Sequence, residues 1–129
     1  MPTKTARLDT INLVTIASSD QDRSIDFYVE TLGFEKRTDV PFGNGYRWVE
    51  VYPPTGTTGI ALAPPPDGAV VGVQTGISLT TGDIDAIHGE LHAGGVDVDA
   101  EVSRYGEPVP PMFWFRDPDG NTLLIVEVP

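Results

Sequence analysis

The first 35 residues change from a strand pattern to a helix pattern. Residues 11–17 form a β-branched apolar run, which is typical of a buried strand. Asp20 then supplies a helix N-cap, and the apolar residues after it recur at i, i+3, i+4 and i+7. These apolar residues are Ile25, Tyr28, Val29 and Leu32. Gly33 follows the last of them, where a helix end favours glycine, so one amphipathic helix is predicted.

The pattern continues as three strands and then repeats. Short apolar segments at residues 34–40, 46–52 and 59–63 are separated by turn residues, which predicts three strands. The second half has the same order, with a strand at 76–80, the N-cap Asp83, a helix that ends at two glycines, and three more strands. The helix carries Ile84, Ile87 and Leu91 on one face, and the strands are predicted at 96–102, 109–116 and 122–128.

A period of about 60 residues indicates an internal repeat. Asp20 corresponds to Asp83, Gly33 to Gly95, and the turn at 54–56 to the turn at 118–120. The predicted fold class is therefore α+β, with two tandem βαβββ units that form a curved, cup-like mixed β-sheet and helices on its convex side. One domain is expected over residues 1–129, with unit one at about 8–63, a proline-rich linker at about 64–72 and unit two at about 73–129.

The charge and the cysteine content of the chain limit the kinds of molecule and chemistry that we expect for it. Eight Lys and Arg residues against nineteen Asp and Glu residues give a net charge of −11, which disfavours nucleic acids and anionic membranes. The same field attracts cations, so it serves either solubility alone or the steering of a cationic ligand. Cysteine is absent, which excludes disulfides and thiolate chemistry. Residues 1–10 lack the apolar core of a signal peptide, and no apolar run approaches about 20 residues, so a cytoplasmic protein is expected.

Four short motifs carry a resemblance to a known family. They are Asp20, the helix segment 24–28, the helix exit 32–34 and the hairpin 115–121. In this order and spacing the chain resembles the vicinal-oxygen-chelate superfamily, also called the glyoxalase/bleomycin resistance/dioxygenase superfamily. The resemblance covers nearly the whole chain and implies paired βαβββ units around a cup. It also implies that the enzymes of the family usually hold a divalent metal in the cup.

The metal positions that the resemblance implies carry no metal ligands in this sequence. They fall on Leu13, Ala61, Gly76 and Leu124, whose side chains offer no N, O or S donor. A slip of one residue would offer only Asn12 and Thr75, and it would also reverse the strand face. We therefore expect no metal and no cofactor.

Strand alternation predicts which residues line the cup. If Arg116 pairs with Thr122 across the last hairpin, Trp114 lies opposite Leu124, while Phe113 and Phe115 pack under the helix. The expected ligand-binding residues are Leu13, Thr15, Tyr46, Trp48, Glu50, Met112, Trp114 and Leu124. Aromatic walls with one placed polar group are typical of small-molecule pockets, although the same residues could fill a collapsed core or a dimer interface.

The titratable residues leave several interpretations open. Glu50 could be a ligand's counter-ion or a general base, or it could pair with Arg47 or Arg104 or lie exposed at the rim of the cup. His88 and His92 have the i, i+4 spacing that can chelate a metal, but their helix should lie on the convex side. We therefore interpret them as surface histidines, and the sequence identifies no catalytic residue.

Three kinds of function fit these observations. We favour a metal-free, homodimeric small-molecule-binding protein that sequesters an aromatic or cationic compound, because antibiotic-sequestering members of the superfamily also lack the metal ligands. The alternative is a glyoxalase- or dioxygenase-type enzyme (a lyase, an isomerase or a ring-opening oxygenase) that acts on a small vicinal-oxygen substrate. A third interpretation is a partner-binding domain whose cup is filled by its own side chains.

Overall fold

The computed structural model describes residues 5–129 and contains the same βαβββ order twice. Unit one comprises β1 (Leu13–Ala17), α1 (Gln21–Asp26), which continues as a π-helical turn (Phe27–Thr31), β2 (Glu35–Pro41), β3 (Arg47–Tyr52) and β4 (Gly59–Ala63). Unit two comprises β5 (Gln74–Thr81), α2 (Ile84–Ala93), β6 (Asp97–Val98), β7 (Met112–Arg116) and β8 (Thr122–Glu127). None of the helices within residues 5–129 is long and apolar enough to cross a membrane.

Each unit folds into one four-stranded mixed sheet. The strand orders are β1-β4-β3-β2 and β5-β8-β7-β6, so the two sheets have the same topology. In each sheet the first and last strands of the unit are parallel, and the remaining neighbours are antiparallel. The predicted α+β class, with tandem βαβββ units and curved sheets, is therefore confirmed.

The helix boundaries follow the local signals in the sequence. The side chains of Asp20 and Asp83 accept hydrogen bonds from the backbone N–H groups of Arg23 and Ala86, both at 3.1 Å. Gly33 and Gly95 adopt φ angles of +81° and +82°, which residues with a Cβ rarely adopt. These four residues thus place both helices in equivalent positions of the repeat.

Two strands of unit two are shorter than predicted. Strand β6 covers only Asp97–Val98 instead of 96–102, and β7 begins at Met112 instead of residue 109. Pro108, Pro110 and Pro111 lack the N–H that a strand ladder needs, so regular pairing begins only after them. Beyond Val98, the backbone N–H of Asp99 donates to the Trp114 carbonyl, and an isolated bridge joins Ser103 to Met112.

The helix-covered faces of both sheets share one hydrophobic core. Val49, Val51, Phe113 and Phe115 are fully buried, which confirms the prediction that they lie under the helices. The core residues are Ile16, Tyr28, Phe34, Val49, Val51, Ile60, Leu62, Ile84, Leu91, Phe113, Phe115, Leu123 and Ile125. Because this one cluster contains residues from both sheets, the face opposite the helices points away from it in each unit. We call these two surfaces the open faces.

A hairpin of unit two fastens the two units together. Asn121, which is fully buried, donates from Nδ2 to the Ala17 carbonyl at 3.0 Å and accepts at Oδ1 from the N–H groups of Gly72 and Val73. The Tyr28 hydroxyl donates to Asp117 Oδ2 at 2.9 Å, so unit one is also bound through its helix. Burial, together with the adjacent Asp117 charge, raises the pKa of Tyr28, which keeps the phenol a neutral donor.

The same hairpin holds the start of α1. Asp119 accepts from the Ser19 N–H at 3.1 Å and from the Arg23 guanidinium at 2.8 Å, and its carboxylate also bonds the Ser19 hydroxyl. Nearby, the Phe27 and Phe115 rings lie 6.3 Å apart between their centroids. Contacts between the units therefore run through their helix-covered sides, which leaves the open faces on the outside of the shared core.

Candidate functional site

The open face of sheet one is built by strand alternation on β1, β3 and β4. Thr15 pairs with Ala61, Ala61 pairs with Glu50, and Glu50 pairs with Thr38, so these residues form one row across the sheet. Since side chains alternate along a strand, Trp48 and Tyr52 share this face with Glu50. The structure thus places Leu13, Thr15, Trp48 and Glu50 of the predicted site on one surface.

The open face of sheet two carries three more of the predicted residues. Met112 pairs with Val126, Trp114 with Leu124 and Arg116 with Thr122, as predicted from the hairpin. Leu124 also pairs with Ser78 on β5, which completes a row across sheet two. Met112, Trp114 and Leu124 are half-buried, whereas their neighbours Phe113, Phe115 and Leu123 are fully buried. The two tryptophans of the chain therefore both lie on open faces.

The repeat assigns an equivalent residue in unit two to each of these positions. Ala61 pairs with β1 and β3 in the same way that Leu124 pairs with β5 and β7. Glu50, next to Ala61, thus corresponds to Trp114, next to Leu124. Two residues further along the strand, Tyr52 corresponds to Arg116. One open face therefore presents a carboxylate where the other presents an indole.

Glu50 is held by two neutral donors on its own strand. Trp48 Nε1 donates to Glu50 Oε2 at 2.7 Å, and the Tyr52 hydroxyl donates to Glu50 Oε1 at 2.8 Å. The alternative of an ion pair with Arg47 or Arg104 is not realised. Arg47 pairs with Asp22 and Asp39, and Arg104 pairs with Asp85.

Tyr52 is itself fixed by its surroundings. Its ring lies over Gly59, where an added Cβ would come within 2.5 Å of a ring carbon, so only glycine leaves room for it. The Arg37 guanidinium lies 4.4 Å from the centre of the ring and donates to the carbonyls of Pro54 and Gly56. The hydrogen bond to Glu50 raises the pKa of Tyr52, so the phenol remains a protonated donor.

The tip of the β2–β3 hairpin adds an aromatic residue that the sequence analysis missed. The Phe42 ring lies 5.7 Å from the Trp48 ring, and its backbone N–H donates to the Tyr46 carbonyl. Phe42 and Tyr46 are 69% and 49% exposed, and Tyr46 lies directly before β3 at the tip of the hairpin. The position of Phe42 directly before the turn at 43–45 was the available signal, because it pairs Phe42 with Tyr46.

The two histidines lie on the other side of sheet two. His88 is half-buried, its ring is 4.8 Å from the Phe113 ring, and Nε2 is 2.7 Å from the Asp99 carbonyl. The interpretation of both histidines as surface residues is therefore wrong for His88, because α2 presents it to β7, whereas His92 is exposed. Within residues 5–129, no three His, Cys, Asp or Glu side chains are grouped so that they could hold a metal ion.

Comparison with known proteins identifies the family. The model of the Glyoxalase/Bleomycin resistance protein/Dioxygenase superfamily matches residues 10–125. The chain belongs to this superfamily.

Several similar proteins match almost the full length of the chain. A member from Sphaerobacter thermophilus DSM 20745 has a crystal structure that is 40% identical, with a TM-score of 0.87, and the match covers 94% of this chain and 98% of that one. The structure of TnmS3, an antibiotic binding protein from Streptomyces sp. CB03234, is 32% identical with a TM-score of 0.83 and coverage of 96% and 99%. The uncharacterized protein YurT of Bacillus subtilis (strain 168) is 30% identical over 127 residues, with coverage of 91% and 98%.

The positions that the resemblance assigns to a metal do not fit a divalent cation in this chain. They are Leu13, Ala61, Gly76 and Leu124, whose side chains supply no N, O or S donor atom. Glu50, which pairs with Ala61 on the same row, is a single carboxylate, whereas metal sites commonly use three or four protein ligands.

Proposed function

We propose that this chain is a metal-free small-molecule-binding protein that sequesters an aromatic or cationic compound on its open faces. The observation that carries this proposal is the placement of both tryptophans, half-buried, on open faces that include the fixed carboxylate of Glu50. Indole rings stack on planar ligands and attract cations, and a net charge of −11 raises the local concentration of cations. The relationship to TnmS3, an antibiotic binding protein, supports the same class of function.

We further propose that the ligand site is completed in a homodimer. Both open faces point away from the shared core, so within one chain neither can cover the other. Within residues 5–129, strands β1 and β5 are at the edges of their sheets with one neighbouring strand each, which leaves backbone groups available for pairing. A two-fold dimer would bring unit one of one protomer against unit two of its partner and would create two equivalent cups.

The binding proposal predicts tryptophan quenching by a planar aromatic cation. Titration with 9-aminoacridine should quench the emission of Trp48 and Trp114 in a saturable manner, because the dye would stack on the indole rings. Prior treatment with EDTA should leave the binding curve unchanged, since no metal takes part. Absence of saturable quenching would contradict the binding function, and loss of binding after EDTA would contradict its metal-free form.

The assembly proposal predicts a dimer in solution. Light scattering at micromolar concentrations should give twice the mass of the 13.9 kDa chain. Because the contacts would include half-buried apolar residues of the open faces, the dimer should persist at high salt. A mass of one chain across this concentration range would show that the open faces are not covered by a second copy.

A further inference from the structure

Three side chains along β3 form a hydrogen-bonded group with Glu50 at its centre. Trp48, Glu50 and Tyr52 are two residues apart and therefore share the open face. Each carboxylate oxygen accepts one bond, from the indole N–H at 2.7 Å and from the phenol O–H at 2.8 Å. An ionised carboxylate offers about four lone-pair positions, so about two acceptor positions remain for another molecule.

The two donors orient the carboxylate without neutralising it. An indole N–H and a phenol O–H carry no charge, whereas an arginine or lysine in their place would cancel the charge of Glu50. The hydrogen bond to Glu50 raises the pKa of Tyr52, so this partner stays uncharged as well. Arg47 is engaged by Asp22 and Asp39, and Arg37 donates to backbone carbonyls beside the Tyr52 ring. The open face therefore carries a negative charge in a fixed orientation.

In the proposed dimer, the repeat would place this carboxylate opposite an aromatic side chain. Trp114 holds in sheet two the position that Glu50 holds in sheet one, because each pairs with the corresponding residue of the last strand, Leu124 or Ala61. In the proposed dimer, the open face of sheet one in one protomer would lie opposite the open face of sheet two in its partner. Glu50 and Trp114 would then be on opposite walls of the cup, at equivalent positions along their strands. A planar cation fits both, since it can stack on the indole and donate N–H bonds to the carboxylate.

We propose that Glu50 is the polar anchor of the ligand site and that it binds a protonated amine on a planar aromatic ligand. This inference rests on the proposed binding function and adds the chemical class of the ligand. Trp48 and Tyr52 are positioning residues, which hold the carboxylate towards the ligand. An anionic ligand would be repelled by Glu50 and by the overall field, and an uncharged ring would gain stacking without the charged hydrogen bond.

The test compares two dyes of nearly the same shape by calorimetry. At neutral pH 9-aminoacridine is a cation with N–H donors, whereas acridine is uncharged and has none. Replacement Glu50→Gln should weaken binding of 9-aminoacridine by about tenfold or more and leave acridine within about twofold. Replacement Tyr52→Phe should give a smaller loss for the cation alone, of about threefold, because it frees the carboxylate to rotate.

The matched control is Glu90→Gln on helix α2. Glu90 is exposed on the helix-covered side, so this change removes the same unit of charge away from the open faces. It should leave both affinities within about twofold at physiological ionic strength, because exposed charges act over only about 8 Å there. Far-ultraviolet circular dichroism of each variant checks that the fold is retained.

Three other outcomes would contradict the proposal, and each has a different consequence for the proposed binding function. If the wild-type protein binds both dyes equally and Glu50→Gln changes neither, the anchor is wrong while the binding function stands. If Glu50→Gln and Glu90→Gln weaken the cation alike, the attraction comes from net charge and not from an anchor. If neither dye binds the wild-type protein, both the anchor and the proposed binding function fail.

Discussion

Replacement of Asn121 by Ala should lower the free energy of unfolding by about 3 kcal/mol or more, because several buried polar groups lose their partners at once. The Asn121 side chain bonds the Ala17 carbonyl in unit one and the N–H groups of Gly72 and Val73 before β5. It also donates to Asp117, which in turn accepts from Tyr28. One amide therefore connects unit one, the segment between the units and the last hairpin. Urea denaturation followed by circular dichroism measures the change.

A suitable control is Asn12→Ala, which removes an amide from an exposed position just before β1. Its effect on the free energy of unfolding should stay within about 0.5 kcal/mol, as is usual for surface positions. If Asn121→Ala is no more destabilising than this control, the units are held together by their apolar core and not by the hairpin.

Replacement of Trp114 by Ala should weaken 9-aminoacridine binding by about fivefold or more without unfolding the protein, because the change removes a stacking surface. Trp114 is half-buried on the open face, while its neighbours Phe113 and Phe115 are fully buried beneath the helices. The backbone N–H of Trp114 donates to Asp99 Oδ2 at 3.0 Å, and this bond survives the substitution. Calorimetric titration of the variant measures the loss.

Phe113→Ala is the matched control on the same strand. It should lower the free energy of unfolding by about 3–5 kcal/mol, because it leaves a cavity in the shared core. If Trp114→Ala destabilises the protein to the same extent and leaves dye binding unchanged, the tryptophan packs against other parts of the protein instead of lining a ligand site. Light scattering of the variant shows whether that packing is against a second copy.

The prediction of the faces from the sequence succeeded because strand alternation is a local property. In a strand the side chains alternate with period two, so the apolar residues Val49, Val51, Phe113 and Phe115 could be assigned to the helix-covered side. The hairpin at 117–121 fixed the register of β7 against β8 through its turn, and the pairing of Trp114 with Leu124 followed. The helix caps were predictable for the same reason, since each acts within one turn of helix.

The sequence analysis failed where a side chain had several partners within reach. Glu50 could have paired with Arg47 or Arg104, yet it accepts from Trp48 and Tyr52. His88 was assigned to the surface, but it packs against Phe113 and its Nε2 lies beside the Asp99 carbonyl. The His88 contacts depend on how close α2 lies to the sheet, and the ion pairs of Arg47 and Arg104 depend on which carboxylates other elements bring near them. Hydrophobic periodicity contains neither kind of information.

The repeated βαβββ order and the buried and open side of each sheet could be derived from the sequence, because they depend on local periodicity. The arrangement of the two units and the partners of the Glu50 carboxylate became apparent only in the folded structure. The arrangement depends on contacts such as Tyr28 with Asp117 and Ala17 with Asn121, which join residues 89 and 104 positions apart. These contacts are made by buried polar groups that must find partners, and those partners come together only when both units have folded around the shared core.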